Sequence, residues 1–344
     1  MQTRNYYFDN LKYILILLVI WGHALEEGMA SPLNKAMVNF LYLFHMPLFV
    51  FVSGYFTHIK ERGRYFHSLL RILETYLLLQ AVFLLHDMIV QGGPYPVLKL
   101  IRPRFSAWYL LCLVYWRVGI YYAQPVLKSV SPAVLLSLSL VLSLLAGFVP
   151  IGAPLAFQRT FVFLPFFLLG YYLGQRPERA MAFVSRGQGS KWTMLGAMVV
   201  LAICLLATGW MHFSHDLPQE RLSYFEMPEP TIWLLAFRLA HTFVAVLISA
   251  CFMLLIPRGE KWFSKYGKET LFFYIWHSLV VFFLIKPFVH NFSFTATEVL
   301  VYPTLSAIVL VVLMHILLKI PVCSFLLNPF TRLYDAAQAR KSRA

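Results

Sequence analysis

Ten apolar stretches, at about 11–26, 36–57, 68–90, 105–122, 132–149, 158–175, 192–212, 231–256, 270–290 and 298–320, limit what this chain can fold into. A bilayer core of about 30 Å is crossed by roughly 20 apolar residues in a helix, and these stretches are close to that length. The loops between them are short, and the longest, about 213–230, is too small for a soluble domain. Composition agrees: 60% of the 344 residues are hydrophobic and 13% are charged. An ordinary soluble domain is about 45–50% apolar and about 25% charged. Collagen-like, disordered and soluble α/β classes are excluded. The expected fold is all-α and integral to a membrane, a bundle of about ten transmembrane helices forming one domain, with no appended soluble domain. No cleavable leader is expected, so the first apolar stretch stays in the protein. Stretches three and eight carry charges and are expected to be broken or tilted.

The formal net charge of +14 could point to nucleic acid, but a nucleic-acid binder needs a soluble basic face. Loop counting explains the charge instead. With the N-terminus inside, 20 of the 29 Lys and Arg residues fall on the cytoplasmic side and seven on the outer side. The positive-inside rule then places both termini in the cytoplasm, in the cytoplasmic (inner) membrane of a cell. The four cysteines sit in apolar stretches without CxxC spacing and read as small buried hydrophobes. The histidines lack HxxxH or HExxH spacing, and no metal site is expected.

Ionisable groups inside spans are costly, and each is a candidate functional group. Lys12 and His23 are separated by 11 residues. At about 100° and 1.5 Å per residue, they share one helix face about 16 Å apart. Lys12 sits near the cytoplasmic boundary and His23 near the outer one. A cationic anchor and a general base would suit those positions; a snorkelling lysine and an interfacial histidine would also fit. Glu26 and Glu27 follow His23 at i+3 and i+4, where either could orient the imidazole or simply be solvated. His45 lies in the outer half of the second stretch, with Pro47 and Gly54 expected to loosen the helix around Ser53. Arg238 and His241 share a face, and Arg117 lies deep in the fourth stretch; these line a cavity or pair internally, with Glu74 a possible partner for such a residue.

Lys12, ten residues, then His23 resembles the basic-x10-His motif of the first helix in acyltransferase-3 membrane acyltransferases. His45-Met46-Pro47 through Ser53-Gly54-Tyr55 is similar to the second-helix signature of their fucose O-acetylase-like branch. Arg71, Trp108-Tyr109-Leu110, Pro165 through Tyr171, and Tyr274 with His277 are further matches, covering nearly the whole chain. The family often has RxxR after the second span; here His67 stands at that spacing from Arg64, and Arg71 lies further on.

The resemblance implies transfer of an acyl group, usually acetyl, from cytosolic acyl-CoA to a hydroxyl of a sugar or glycan, free or lipid-linked. Lys12, Arg64 and Arg71 would hold the phosphates of acetyl-CoA or another acyl-CoA, and His23 would be the catalytic base. His45, Ser53, Trp108 and Tyr109 would contact the substrates. A covalent route through Ser53 lacks an accompanying triad. Trp108 and Tyr109 also suit an interfacial aromatic belt. Gly170 and Gly174 read as helix packing. A secondary transporter or flippase for a glycan or anionic small molecule is the alternative, although paired broken helices in two repeats are not evident. The acceptor, the acyl-chain length and the oligomeric state are not legible in the sequence.

Overall fold

The computed structural model describes residues 5–26, 31–91, 101–211, 214–285 and 298–341. Among these residues every regular element is helical. The α-helices are α1 (Tyr6–Glu26), α2 (Pro32–Tyr55), α3 (Arg62–Gln91), α4 (Trp108–Tyr122), α5 (Gln124–Ser129), α6 (Pro132–Ala146), α7 (Phe157–Val162) and α8 (Leu164–Gly174). They continue with α9 (Pro177–Gln188), α10 (Lys191–Trp210), α11 (Asp216–Gln219), α12 (Thr231–Leu255), α13 (Thr270–Val280), α14 (Glu298–Leu317), α15 (Pro321–Phe325) and α16 (Pro329–Lys341).

Five of these helices, α1, α2, α3, α10 and α12, are long and apolar enough to cross a membrane, and the broken pair α7–α8 would make six. The fourth, fifth and ninth apolar stretches form shorter helices, α4, α6 and α13, with α6 beginning at Pro132 behind the Ser131 cap and ending at Gly147. Of the two alternatives for stretches three and eight, a break or a tilt, the break does not occur: α3 and α12 run continuously through their charges. The broken stretch is the sixth, at Phe163. Pro165, in the first turn of α8, has no N–H to give Phe161 four residues back, and a new helix starts there.

The chain divides into two compact units. One comprises Met1–Phe56, Phe166–Glu220 and Glu229–His315. Its centre is α2, the most enclosed of the long helices, against which α1, α10 and α12 pack. Phe8 of α1 stacks on Tyr55 and His23 meets Tyr42, so α1 and α2 run antiparallel. The helix also passes Pro47 without a break. Pro47 has no N–H for the Leu43 carbonyl, and His241 Nε2 of α12 donates to that oxygen instead, at 3.2 Å. Gly54 does not loosen the helix either. Gly54, Gly170 and Gly174 set α2 against α8 so closely that a Cβ at any of them would run into a carbonyl of the facing helix (Phe167, Phe51 and Tyr55 respectively). On α10, Trp192 and Trp210 are 82% and 86% exposed. Eighteen residues of helix put them about 27 Å apart, close to the thickness of a hydrocarbon core with an aromatic belt at each face.

The other unit comprises Thr57–Pro165, Arg221–Pro228 and Ile316–Ala344. Here α3 packs on α4. Tyr65 OH donates to the Arg117 carbonyl at 2.7 Å, while the Arg117 guanidinium lies 4.8 Å from the Tyr65 ring centre and donates to Ser68 Oγ at 2.7 Å. Glu74 is not the partner of Arg117. It accepts from the Phe330 and Thr331 N–H groups at 2.6 and 3.0 Å, capping α16. The Gln80 amide spans the Arg102 carbonyl and the Arg104 N–H, and Arg104 pairs with Asp87 at 2.6 Å.

Replacing Gly170 with Ala is expected to destabilise the protein by about 1–3 kcal/mol, the range for overpacking a close interface. Gly196→Ala, where a Cβ meets nothing within 4 Å, should be neutral or slightly stabilising. Thermal unfolding of both variants in detergent checks the difference.

Candidate functional site

The last turn of α1 places His23 and Glu26 on one face at i,i+3. His23 Nδ1 lies 3.0 Å from Glu26 Oε2. Glu26 is partly buried, its side chain 18% exposed, and a carboxylate drawn out of water requires donors. Its other oxygen, Oε1, accepts from Tyr42 OH at 2.6 Å and from His215 Nε2 at 3.1 Å. Tyr42 OH is also 3.2 Å from His23 Nδ1. His215 precedes α11, and its Nδ1 is 3.2 Å from Asn39 Oδ1.

Two more imidazoles approach this centre. The His277 ring of α13 stacks on His23 at 5.6 Å with 23° between planes. His277 Nδ1 donates to the Phe273 carbonyl at 2.8 Å, while its buried Nε2 has no hydrogen-bond partner among the described residues. His45 packs edge-on against Tyr42 at 4.8 Å, and its Nδ1 donates to the Leu41 carbonyl.

A histidine that donates Nδ1–H to a carboxylate carries its basic lone pair on Nε2. This arrangement can take a proton from a hydroxyl brought to Nε2 and stabilise the imidazolium that results. Of the residues singled out from the sequence, the structure thus brings His23 and His45 around Tyr42. Glu26 occupies the orienting position; Glu27 lies outside the described residues. Ser53 donates to the Phe49 carbonyl on its own helix and stands 11 residues from Tyr42, about 16 Å along α2.

Lys12 pairs with Asp9 at 3.0 Å and lies 5.2 Å from the Phe56 ring centre. In the second unit, Arg64 is 87% exposed and pairs with Glu61 at 2.9 Å. Arg71 pairs with Asp335 of α16 at 2.5 Å, with His67 Nε2 2.8 Å from the other carboxylate oxygen. Arg71 holds the Asp335 carboxyl below the usual carboxylate range. Trp108 is buried, with Phe163 stacked on it at 5.4 Å and the Arg159 guanidinium 4.3 Å from its ring centre. Tyr109 is buried beside it. Tyr42, Asn39 and His215 carry no signature in the sequence. Tyr42 could have been sought one turn before His45, but His215 sits in a loop with no periodicity to place it.

Arg238 and His241 resolve as an internal pairing. Glu220 accepts from Arg238 Nε at 2.8 Å and lies 3.1 Å from His241 Nδ1, all three side chains being almost fully buried. Burial pushes the Glu220 carboxyl up, but Arg238 and His241 outweigh it and hold the group below its ordinary value. A lowered carboxylate contributes stability that is complete above its unfolded pKa, about 4.3, and is lost as pH falls through the native value. Glu220→Gln is therefore expected to lower stability by about 3–5 kcal/mol near neutrality, because Arg238 is left buried and uncompensated. The deficit should shrink as the wild type is acidified; pH-dependent unfolding of both proteins measures it.

No group of three or more metal-ligating side chains occurs among the described residues. No solved structure matches the chain. A segment of 62 residues is 42% identical to the nodulation protein NolL of Sinorhizobium fredii (strain NBRC 101917 / NGR234), covering 16% of this chain and 16% of that protein. The chain therefore matches only about a sixth of that relative's length. The match to the acyltransferase domain of the acyltransferase-3 type is far broader, running over residues 5–323. With helices apolar enough to span a bilayer and a domain match over nearly its whole length, the chain belongs to the acyltransferase-3 family of membrane acyltransferases.

Proposed function

We propose that the protein is an O-acyltransferase of a cytoplasmic membrane that moves an acyl group, most simply acetyl, from cytosolic acyl-CoA to a hydroxyl of a sugar or cell-surface glycan. The observation that carries this reading is the His23 imidazole held through Nδ1 by Glu26, 3.0 Å away. In the proposed step, His23 Nε2 takes the proton of the acceptor hydroxyl as its oxygen attacks the thioester carbonyl carbon. The C–S bond breaks, an ester forms, and the imidazolium returns the proton to the departing thiolate. No acyl-enzyme is needed, in keeping with the distance of Ser53 from Tyr42 along α2. His45, Trp108 and Tyr109 are assigned to substrate contact, within the fucose O-acetylase-like branch.

Lys12, Arg64 and Arg71 are assigned to the phosphates of the donor. Arg71 already carries an oxyanion, the Asp335 carboxylate, and guanidinium groups bind carboxylate and phosphate by the same forked geometry. The charge bias of the loops supports ten spans with both termini in the cytoplasm, which puts Lys12 on the donor side and His23 toward the acceptor side.

With purified protein, labelled acetyl-CoA and a carbohydrate acceptor, His23→Ala is expected to reduce transfer by about 10²–10⁴, the contribution of a general base, while donor binding persists. Full transfer by that variant would refute the role of His23. Lys12→Ala and Arg71→Ala should instead weaken acetyl-CoA binding by roughly tenfold or more, the value of a charge-assisted hydrogen bond. Unchanged affinity in both would remove them from the donor site.

A further inference from the structure

We infer that residues 214–220 form a fixed strap that makes His215 a positioning residue for the proposed acyl-transfer base, acting through Glu26. The inference rests on the assignment of His23 as that base. Glu26 can orient His23 only if its carboxylate plane is held, since rotation would carry Oε2 off the line of His23 Nδ1. Tyr42 holds Oε1 from α2, and His215 holds the same oxygen from the strap.

The strap is held at its start by α2 and at its end by α12. At its start, His215 Nδ1 faces Asn39 Oδ1 at 3.2 Å. In its middle, Leu217 and Pro218 are buried. At its end, Glu220 takes a left-handed backbone conformation, φ 51°, which a non-glycine residue adopts at a cost and keeps only where its surroundings compel it. Here the compulsion is the buried pairing of its side chain with Arg238 and His241. His241 in turn donates to the Leu43 carbonyl, next to Tyr42 in sequence. The Asn39 contact at the start of the strap, the Tyr42 clamp on Glu26 and the Leu43 carbonyl that His241 takes thus share one short segment of α2, 39–43. A merely structural loop would not require an imidazole to end on Oε1 of the carboxylate that orients the base.

The test is steady-state transfer by the full-length protein with labelled acetyl-CoA, comparing wild type, His215→Ala, His215→Gln and His23→Ala. His215→Ala should lower kcat by about tenfold or more, as loss of an orienting partner does, with the KM for acetyl-CoA unchanged within about twofold. His215→Gln retains an N–H donor near the position of Nε2 and should recover most of that loss. Wild-type kcat in both His215 variants, with His23→Ala inactive, would overturn the strap's role while leaving the base intact. An equal fall in Ala and Gln variants together with lost acetyl-CoA binding would also overturn it, in favour of a fold requirement. Full activity of His23→Ala would overturn the base assignment and the inference with it.

Discussion

A carboxylate inside an apolar helical protein is tolerated only if the protein replaces the water it has lost. Two carboxylates of the first unit meet that condition in different ways. Glu220 is neutralised by a guanidinium and an imidazole and serves as an anchor. Glu26 is held by a tyrosine hydroxyl and by two imidazoles, so its compensation is the same set of contacts that would orient a catalytic base. Satisfying the partly buried charge and arranging the site are one requirement.

The α2 helix meets both demands because each of its apparent weaknesses is answered by a neighbour. Pro47 frees a carbonyl, and His241 takes it; that tie links α2 to Glu220. Gly54 leaves a gap in side-chain volume, and α8 fills it with backbone. Ahead of both, residues 39–43 supply Asn39, Tyr42 and the Leu43 carbonyl. A helix packed on so many sides holds those groups to narrow positions, which orientation of a base requires.

Much of this organisation is legible in the sequence. Apolar stretches with near-bilayer length mark the helices, and the ionisable pair Lys12 and His23 marks the α1 face. The glycines at 170 and 174 announce close packing. The chain does less well where tertiary context decides. Charges in α3 and α12 suggest a break or a tilt, but Glu74, Asp87 and Arg238 find partners within the protein, and both helices run on. Pro47 suggested an opening that a distant histidine closes. His215 and Glu220 were out of reach because their roles depend on a loop returning to α2, and no periodic pattern encodes that return. The residues proposed to hold the donor stand midway: Lys12 and Arg71 are identifiable by position and Asp9 by its i,i+3 spacing from Lys12, while Asp335, the partner of Arg71, appears only in the fold.

The proposed chemistry uses these parts economically. The imidazole supplies the base, the carboxylate sets its tautomer, and the tyrosine and the second histidine fix the carboxylate. Transfer of labelled acetyl by the Glu26→Gln variant tests this most directly, because the substitution keeps the shape of the side chain while removing its charge and turning one of its two acceptor oxygens into a donor. The account predicts a fall in kcat of about 10–10⁴, the span between loss of an orienting partner and loss of the correct tautomer, with acetyl-CoA binding retained. A kcat equal to that of the wild type would contradict it.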